Sequence, residues 1–307
     1  MSDGRHPGAS FGEPAIVGTY GLPPRGLRLP PTIDLGAVTL RVADLARSVD
    51  YYTSVLGLQV IDRTGAHAAL GTHGDRRVLV ELNESRGVRS PRRRLGLFHF
   101  AMLLPERAAL GRFLRHLVTI GTRPGASDHL VSEALYLTDP DGLGIEVYAD
   151  RPQDTWRRKG RELLMSTDPL DPVDLVRSAG DTTWTGMPAG TVMGHVHLHV
   201  GDLEQAAAFY VDALGFDRTV WSYPGALFVS AGGYHHHLGT NTWAGPGAQP
   251  AGPDVAGLEV WTIHLPDRDS LAATATRVGA AGYSLTHDGA TAIAVDPWGT
   301  RVRLSRR

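Results

Sequence analysis

Residues 194–216 read GHVHLHVGDLEQAAAFYVDALGF. The first part alternates histidine with aliphatic side chains, a period of two that predicts a strand with an aliphatic face opposite an imidazole face. Three residues lie on the imidazole face: His195, His197 and His199. Asp202 then stands as a plausible N-cap of an amphipathic helix, which Gly215 ends. The stretch therefore predicts a strand and a helix joined by a short cap.

The same pattern occurs three more times in the chain, so the repeat is visible without reference to any other protein. The copies read LGAVTLRVADLARSVDYYTSVLGLQV, GLFHFAMLLPERAALGRFLRHLVTIG and GLEVWTIHLPDRDSLAATATRVGAAGY. Short strand-like runs follow each copy. We therefore predict an α+β fold of four βαβββ modules, at residues 35–89, 95–150, 193–245 and 256–307.

A βαβββ module covers one face of its sheet with its helix, so two modules normally pair to curl their sheets into a half-open barrel around a cup. Four modules predict two such barrels. The predicted division of the chain is a mobile Gly/Pro-rich arm at 1–32, modules 1 and 2 at 33–150, a connector at 151–192, and modules 3 and 4 at 193–307. The connector contains a possible short helix at Pro172–Ser178.

Composition restricts the function. The chain has 307 residues, a formal charge of -2 and a pI near 6.7, which leaves no global basic field to attract nucleic acid or an anionic membrane. It contains no cysteine, which excludes disulfides, thiolate nucleophiles and Cys-ligated zinc, and leaves 14 histidines and the carboxylates as metal ligands. Neither a secretory leader pattern nor an eighteen-residue apolar run occurs. We therefore expect a cytoplasmic protein that acts on small molecules.

Ligand-type residues are concentrated in the two central modules. In chain order, the corresponding first-strand position holds Ala37, His99, His195 and Val260. The last-strand position holds Glu146 in module 2 and Arg303 in module 4. Two imidazoles and one carboxylate form the facial set that suits non-haem Fe(II). For His99, Glu146 and His195 to meet, modules 2 and 3 must share one cup, which leaves modules 1 and 4 to form a metal-free one.

Over about residues 33–307 the chain resembles the vicinal oxygen chelate (glyoxalase/bleomycin resistance/dioxygenase) superfamily, and within it the catechol 2,3-dioxygenase-like type I extradiol dioxygenases. The matching phrases are GLFHFAMLLPER, DHLVSEALYLTDPDGLGIEVYADRP, MGHVHLHVGDLEQAAAFYVDALGF and FVSAGGYHHHLGTNTWAG. The resemblance implies an enzyme that holds Fe(II), or alternatively Mn(II), with His99, His195 and Glu146. It would use O2 as co-substrate to open a catechol-type ring beside the diol.

The resemblance also implies roles for four other residues. Tyr136 matches the substrate-contacting tyrosine, and the pair at 235–236 matches a His-His whose second member, His236, is the acid/base residue. His197 occupies the position that approaches the dioxygen side. His129 matches an additional active-site histidine, although it lies nearer to Tyr136 in sequence than in the family. In the family the metal cup comes from the last two modules, whereas here the middle two are predicted to form it.

Periodicity leaves several alternatives open. On a strand, His236 would face opposite to His235 and His237, so spacing alone does not decide which side faces the cup. Tyr136 would also suit a core position, and residues 92–94 (Arg-Arg-Arg) a solvated loop. Two rival functions remain: a glyoxalase-like lyase or isomerase with a fourth ligand from His235 or His237, and a non-catalytic binding protein of the same fold.

The sequence does not identify the catechol, because pocket size depends on the loops at 221–225 and 243–252. We expect a homo-oligomer, since the metal-free modules offer surfaces for one. The metal cup could form within one chain or between two.

Overall fold

The computed structural model describes residues 12–307 and confirms the α+β fold of four βαβββ modules. A short strand, β1 (Glu13–Pro14), precedes the modules. Module 1 comprises β2 (Asp34–Val42), α1 (Leu45–Ser54), β3 (Gln59–Thr64), β4 (His67–Gly71) and β5 (Val78–Glu84). Module 2 comprises β6 (Arg94–Leu103), α2 (Arg107–Thr119), β7 (Gly125–Asp128), β8 (Ser132–Thr138) and β9 (Gly144–Asp150).

The second half of the chain follows the same order. The connector contains a 3₁₀ turn (Gln153–Thr155), β10 (Arg157–Lys159), β11 (Glu162–Leu163) and α3 (Pro172–Ser178), the last as predicted. Module 3 comprises β12 (Val192–His199), α4 (Leu203–Ala207), a π-helical segment (Ala208–Ala213), β13 (Asp217–Val220), β14 (Ala226–Ser230) and β15 (Leu238–Asn241). After β16 (Gln249–Pro250), module 4 comprises β17 (Gly257–Leu265), α5 (Arg268–Ala280), β18 (Leu285–Asp288), β19 (Thr291–Val295) and β20 (Arg301–Arg306).

Aspartate caps begin the helices of modules 1, 3 and 4, including the predicted cap Asp202. The side chain of Asp44 accepts a hydrogen bond from Arg47 N at 3.0 Å, and that of Asp202 accepts one from Gln205 N at 2.8 Å. Each cap satisfies a backbone donor that the first helical turn leaves unpaired. The apolar stripe of α2 is buried: Leu110, Phe113, Leu114 and Leu117. The helix of module 3 differs, because it widens into the π-helical segment that its 3.6-residue spacing does not predict.

The modules pair through their first strands. β6 runs antiparallel to β12, and β2 runs antiparallel to β17. The 17-stranded sheet therefore has two curled halves, one made by modules 2 and 3 and the other by modules 1 and 4. We call the hollow of the first half the central cup and that of the second half the outer cup. Only the pair Met193–Leu35 joins β12 to β2.

Residues 12–32 of the Gly/Pro-rich arm pack against the rest of the protein; residues 1–11 lie outside the described residues. β1 pairs with β10 of the connector, Tyr20 is buried and donates a hydrogen bond to Gly233 O, and Leu29 is buried in the main core. The sequence did not predict this packing, because Gly and Pro form turns in which single apolar side chains point inward without a regular spacing. Within residues 12–307, none of the helices has the length and apolar character that a membrane crossing requires.

Candidate active site

The three predicted ligand side chains meet in the central cup of a single chain. His99 lies on β6, Glu146 on β9 and His195 on β12, and all three are buried. Glu146 Oε2 lies 3.0 Å from His99 Nε2 and 3.2 Å from His195 Nε2. Adjacent ligands of an octahedral ion with bonds of about 2.1 Å stand about 3 Å apart. The spacing of these atoms fits a first-row metal ion.

Strand register explains why these side chains converge. β9 runs parallel to β6 and places Glu146 beside Ala101, two residues after His99. β12 crosses antiparallel and places His195 opposite the same Ala101. The alanine leaves room for the side chains that surround it. One carboxylate and two imidazoles from three strands therefore point at one small volume.

The hydrogen bonds around these residues also suit a metal site. His99 Nε2 and His195 Nδ1 are two of the five buried side-chain nitrogen or oxygen atoms in residues 12–307 that have no hydrogen-bond partner. Leaving such an atom unpaired costs about 1–3 kcal/mol. A metal ion bound to His99 Nε2 would remove that cost. Among the described residues, His195 Nδ1 has no hydrogen-bond partner, and the other nitrogen of that ring faces Glu146.

The protonation states fit a cation as well. Burial alone would raise the pKa of Glu146, but interactions with His195 and His99 outweigh burial and hold the pKa well below its ordinary range. Burial lowers the pKa of His195 to about 4. Near neutral pH the site therefore offers a carboxylate and a neutral imidazole, the forms that bind metal ions.

A cavity of about 250 Å³ opens beside the three ligand atoms. Its polar end is formed by the ligand residues together with Tyr136, His129, His197 and His236. Its other wall is apolar and largely aromatic: Phe98, Met165, Tyr223, Phe228 and Trp243. The cavity thus suits a small planar molecule with polar groups at one end.

Tyr136 and His129 form a hydrogen-bonded pair at the polar end. Tyr136 faces Glu146 across β8 and β9, and its hydroxyl lies 2.5 Å from His129 Nε2. His129 Nδ1 lies 2.6 Å from the carbonyl oxygen of Ser166, which can only accept a hydrogen bond. With a single proton on its ring, His129 would donate from Nδ1 and accept the Tyr136 proton at Nε2. Burial, followed by the charge of Glu146, raises the pKa of Tyr136 well above its ordinary range.

Of the three consecutive histidines, His236 is the one that lines the cavity, and its ring packs on His195 at a centroid distance of 4.1 Å. Its Nδ1 lies 2.7 Å from His235 Nδ1, and His235 Nε2 lies 2.9 Å from Asp150 Oδ1. If the His235 ring carries one proton, that proton lies on Nε2, which faces the carboxylate, and His235 Nδ1 accepts from His236 Nδ1. His236, which lines the cavity, is then unprotonated at Nε2. His237 points elsewhere and contacts Ser230 Oγ at 3.0 Å.

The module 3 position that corresponds to Glu146 is a glycine. Parallel pairing places Gly239 beside His197, as it places Glu146 beside Ala101. A Cβ atom at Gly239 would lie 2.9 Å from the His197 ring, so the glycine makes room for that ring. A four-ligand set built on corresponding strand positions therefore lacks its fourth member. His235 and His237, the predicted alternatives, are engaged with Asp150 and Ser230.

The sequence did not reveal the part played by the connector. Met165, Ser166 and Thr167 line the cavity, and Thr167 Oγ1 lies 2.7 Å from the hydroxyl of Tyr223 across its mouth. Ser166 acts through its backbone carbonyl, which carries no residue signature. Of the predicted loop arginines, Arg92 and Arg93 are exposed, as expected for a solvated loop.

Known proteins share this fold and much of this sequence. The model of the Glyoxalase/Bleomycin resistance protein/Dioxygenase superfamily matches residues 34–147, which hold modules 1 and 2, and residues 192–304, which hold modules 3 and 4. A catechol-2,3-dioxygenase of Bacillus subtilis (strain 168) is 48% identical over 255 residues, which cover 82% of this chain and 89% of the relative.

Two solved structures support the fold alone. A protein from Bacillus subtilis subsp. subtilis str. 168 that carries a provisional dioxygenase name superposes with a TM-score of 0.62 at 14% identity, over 92% of this chain and 86% of its own. Glyoxalase I from Zea mays superposes with a TM-score of 0.54 at 20% identity, over 90% of this chain and 92% of its own.

Proposed function

Because the chain belongs to the glyoxalase/bleomycin resistance protein/dioxygenase superfamily, we propose that its central cup is the active site of an extradiol dioxygenase. The substrate would be a catechol-type diol, cleaved beside its two hydroxyls. One observation carries the proposal: two imidazoles and one carboxylate converge at the end of an otherwise aromatic cavity. The 48% identical relative that is named a catechol-2,3-dioxygenase supports the same reaction.

His99, His195 and Glu146 would hold the metal, which we propose to be Fe(II), with Mn(II) as the alternative. A set of three protein ligands would leave the ion able to bind the diol and O2 as well. When bound, the ion would hold both reactants side by side and pass electrons between the ring and oxygen. Gly239 supports this set over a four-ligand one, because it offers no side chain at the corresponding position.

The other polar residues would orient the diol and move protons. His236 presents Nε2 as a base that can take a proton from one diol hydroxyl and return it later as an acid. Tyr136 sits beside Glu146, where its oxygen can contact a diol oxygen, while His129 holds its hydroxyl. The chemistry balances without an external reductant: one ring carbon–carbon bond breaks, and both atoms of O2 enter the ring-opened semialdehyde or keto acid.

The side chains of the cavity wall indicate whether the substrate is charged. Among residues 12–307, no lysine or arginine lines the cavity, so it offers no counter-ion for a substrate carboxylate. Aromatic side chains can instead cover the two faces of a planar ring. An uncharged catechol, unsubstituted or with a small apolar substituent, therefore fits this cavity better than a carboxylated one. A homo-oligomer stays a prediction.

The proposal is tested by anaerobic reconstitution with Fe(II), addition of catechol and then admission of air. We expect a yellow ring-opened product, one O2 consumed per diol, and both atoms of ¹⁸O2 in the product. Oxygen-independent turnover with Zn(II) or Ni(II) would instead indicate a glyoxalase-like lyase or isomerase. Binding of the diol without turnover under any of these metals would indicate a binding protein.

A further inference from the structure

Asn241, at the end of β15, connects three polar groups beneath the cavity. It is fully buried. Its Oδ1 accepts a hydrogen bond from the backbone N–H of Trp243 at 3.0 Å and lies 2.6 Å from His199 Nδ1. Its Nδ2 lies 2.9 Å from His197 Nε2. The side chain thus ties a cavity-lining ring to the backbone of its own loop.

These contacts fix which end of the amide faces His197. A backbone N–H only donates, so the atom that faces Trp243 N must be the amide oxygen. The amide nitrogen therefore faces His197, and an amide N–H also only donates. His197 Nε2 must then accept, which leaves its single ring proton on Nδ1. The backbone N–H of Trp243 thereby orients the Asn241 amide, and the amide in turn determines the tautomer of His197.

We propose that Asn241 is a positioning residue that holds His197 as the Nδ1–H tautomer, so that the ring offers the cavity a hydrogen-bond donor. The ring lines the cavity, and its Nε2 edge is already occupied by Asn241. Nδ1–H is therefore the one polar hydrogen that it can present.

The surroundings keep the ring in place. Gly239 lies against it, and the aromatic rings of Phe98 and Trp243 stand 5.1 and 5.5 Å from its centroid. The His99 ring is 5.0 Å away. A donor at this point, next to the ligand set, would stabilise negative charge that develops on an oxygen atom in the cavity. The opposite tautomer would present a lone pair there and repel that charge. This functional part rests on the proposed dioxygenase function, whereas the tautomer does not.

The outer cup supplies a matched control. In module 1, parallel pairing places Asn83 beside Arg41, the register position that Asn241 has beside His199 in module 3. Asn83 also joins two polar side chains: its Oδ1 lies 2.9 Å from His67 Nδ1, and its Nδ2 lies 2.7 Å from Glu259 Oε2. Replacing it by leucine removes a comparable network at a distance from the central cup.

The tautomer can be observed directly by ¹⁵N–¹H NMR of the histidine rings in the full-length, metal-free protein, with His197 assigned from the spectrum of His197→Asn. We expect a proton on Nδ1 and none on Nε2. In Asn241→Asp an oxygen replaces the amide nitrogen, so we expect a proton on Nε2. A wild-type ring protonated on Nε2, or an Asn241→Asp ring that still carries its proton on Nδ1 alone, would overturn the proposal. The NMR measurement does not require turnover. It therefore tests the tautomer of His197 even if the proposed dioxygenase function is wrong.

Kinetics of the Fe(II)-loaded protein with catechol test the donor. Loss of one preorganised donor lowers kcat by roughly 100-fold, and we expect this in both Asn241→Asp and Asn241→Leu, with KM changed by less than about twofold. Asn83→Leu should retain kcat per bound metal. Equal losses of kcat in Asn241→Leu and Asn83→Leu would show general destabilisation and overturn the positioning role.

Discussion

The central and outer cups share one fold and one strand register, but their corresponding positions hold different side chains. In the central cup the four positions are His99, Glu146, His195 and Gly239. In the outer cup they are Ala37, Glu81, Val260 and Arg303. Identical backbone pairing thus brings together three residues that could hold a metal ion in the central cup, and side chains of other types in the outer cup. The fold places four corresponding residues around each cup, and the side chains at those positions determine whether the cup can act as a chemical site.

The polar groups of the outer cup satisfy one another. Glu81 accepts a hydrogen bond from Thr39 Oγ1 at 2.7 Å. Glu259 contacts Arg41 Nε at 3.1 Å and accepts from Asn83 Nδ2. These groups are bonded to one another, whereas His99, Glu146 and His195 in the central cup point their ligand atoms at one small volume beside a cavity. The two cups therefore differ in whether their polar side chains pair with one another or converge beside a cavity.

The largest expected effect comes from removing the carboxylate of the ligand set. Glu146→Gln should reduce bound iron to a small fraction and activity by more than about 1,000-fold, because it removes the one anionic ligand. Iron content per chain and oxygen uptake measure both. Glu81→Gln makes the same change at the corresponding outer-cup position, and we expect iron and activity within about twofold of wild type. Equal losses in both variants would contradict the assignment of chemistry to the central cup.

The second largest expected effect is a loss of turnover without a loss of bound metal, at a residue of the central cup. His236→Gln should lower kcat by about 100- to 1,000-fold while one iron per chain is retained, since it removes a proton acceptor that is not a metal ligand. Stopped-flow product formation and iron content check this. His237→Gln is the control, because that side chain contacts Ser230 instead of the cavity. Loss of iron in His236→Gln would show instead that His236 binds the metal.

A third effect concerns two contacts that link the cups to each other. Tyr52 of module 1 donates to Asp139 in the β8–β9 turn of module 2, and Tyr210 of module 3 donates to Asp296 in the β19–β20 turn of module 4. Burial raises the pKa of Asp139 from 3.8 to about 6, and also raises that of Asp296. The folded protein therefore binds these protons more tightly than the unfolded chain does.

The sign of the pH effect follows from that difference. The contribution of Asp139 to stability is fully present below about pH 4 and is lost as the pH rises through about 6, by up to about 3 kcal/mol. Asp139→Asn should remove this dependence, so its stability relative to wild type should increase between pH 4 and 7. Urea unfolding of the metal-free protein at several pH values measures it. A difference in stability between Asp139→Asn and wild type that does not vary with pH would contradict this prediction. The stability of Asp296→Asn relative to wild type should also increase as the pH rises.

The repeat made the fold predictable from the sequence. Four copies of one strand-and-helix pattern reveal the modules, and the unequal distribution of histidines among them indicated which modules pair. His99, Glu146 and His195 meet because strand register is regular, so positions that correspond in sequence also correspond in space. The spacing of these residues within each module is visible in the sequence, so their convergence can be predicted without coordinates.

Other features depend on contacts that no spacing encodes. Tyr20 and Leu29 are isolated apolar residues among Gly and Pro, so their burial was not predicted. Ser166 holds His129 through a carbonyl group that every residue possesses. Asn241 acts through one particular backbone N–H of a loop. The orientation of the His235–His237 run, outside any strand, was likewise not determined by alternation.

The smallest expected effect lies at the mouth of the central cup, where Thr167 and Tyr223 share a hydrogen bond between the connector and a module 3 loop. Thr167→Val keeps the shape and removes that bond. A neutral, solvent-accessible hydrogen bond contributes little, so we expect KM for catechol to change by about threefold with kcat nearly constant. Tyr223→Phe should have the same effect, and the double variant no more than either single one, because both remove one interaction. A fall in kcat comparable to that of His236→Gln would place these residues in the chemistry. The expected result instead separates a mouth that controls access from the buried end that we propose to bind the metal and move protons.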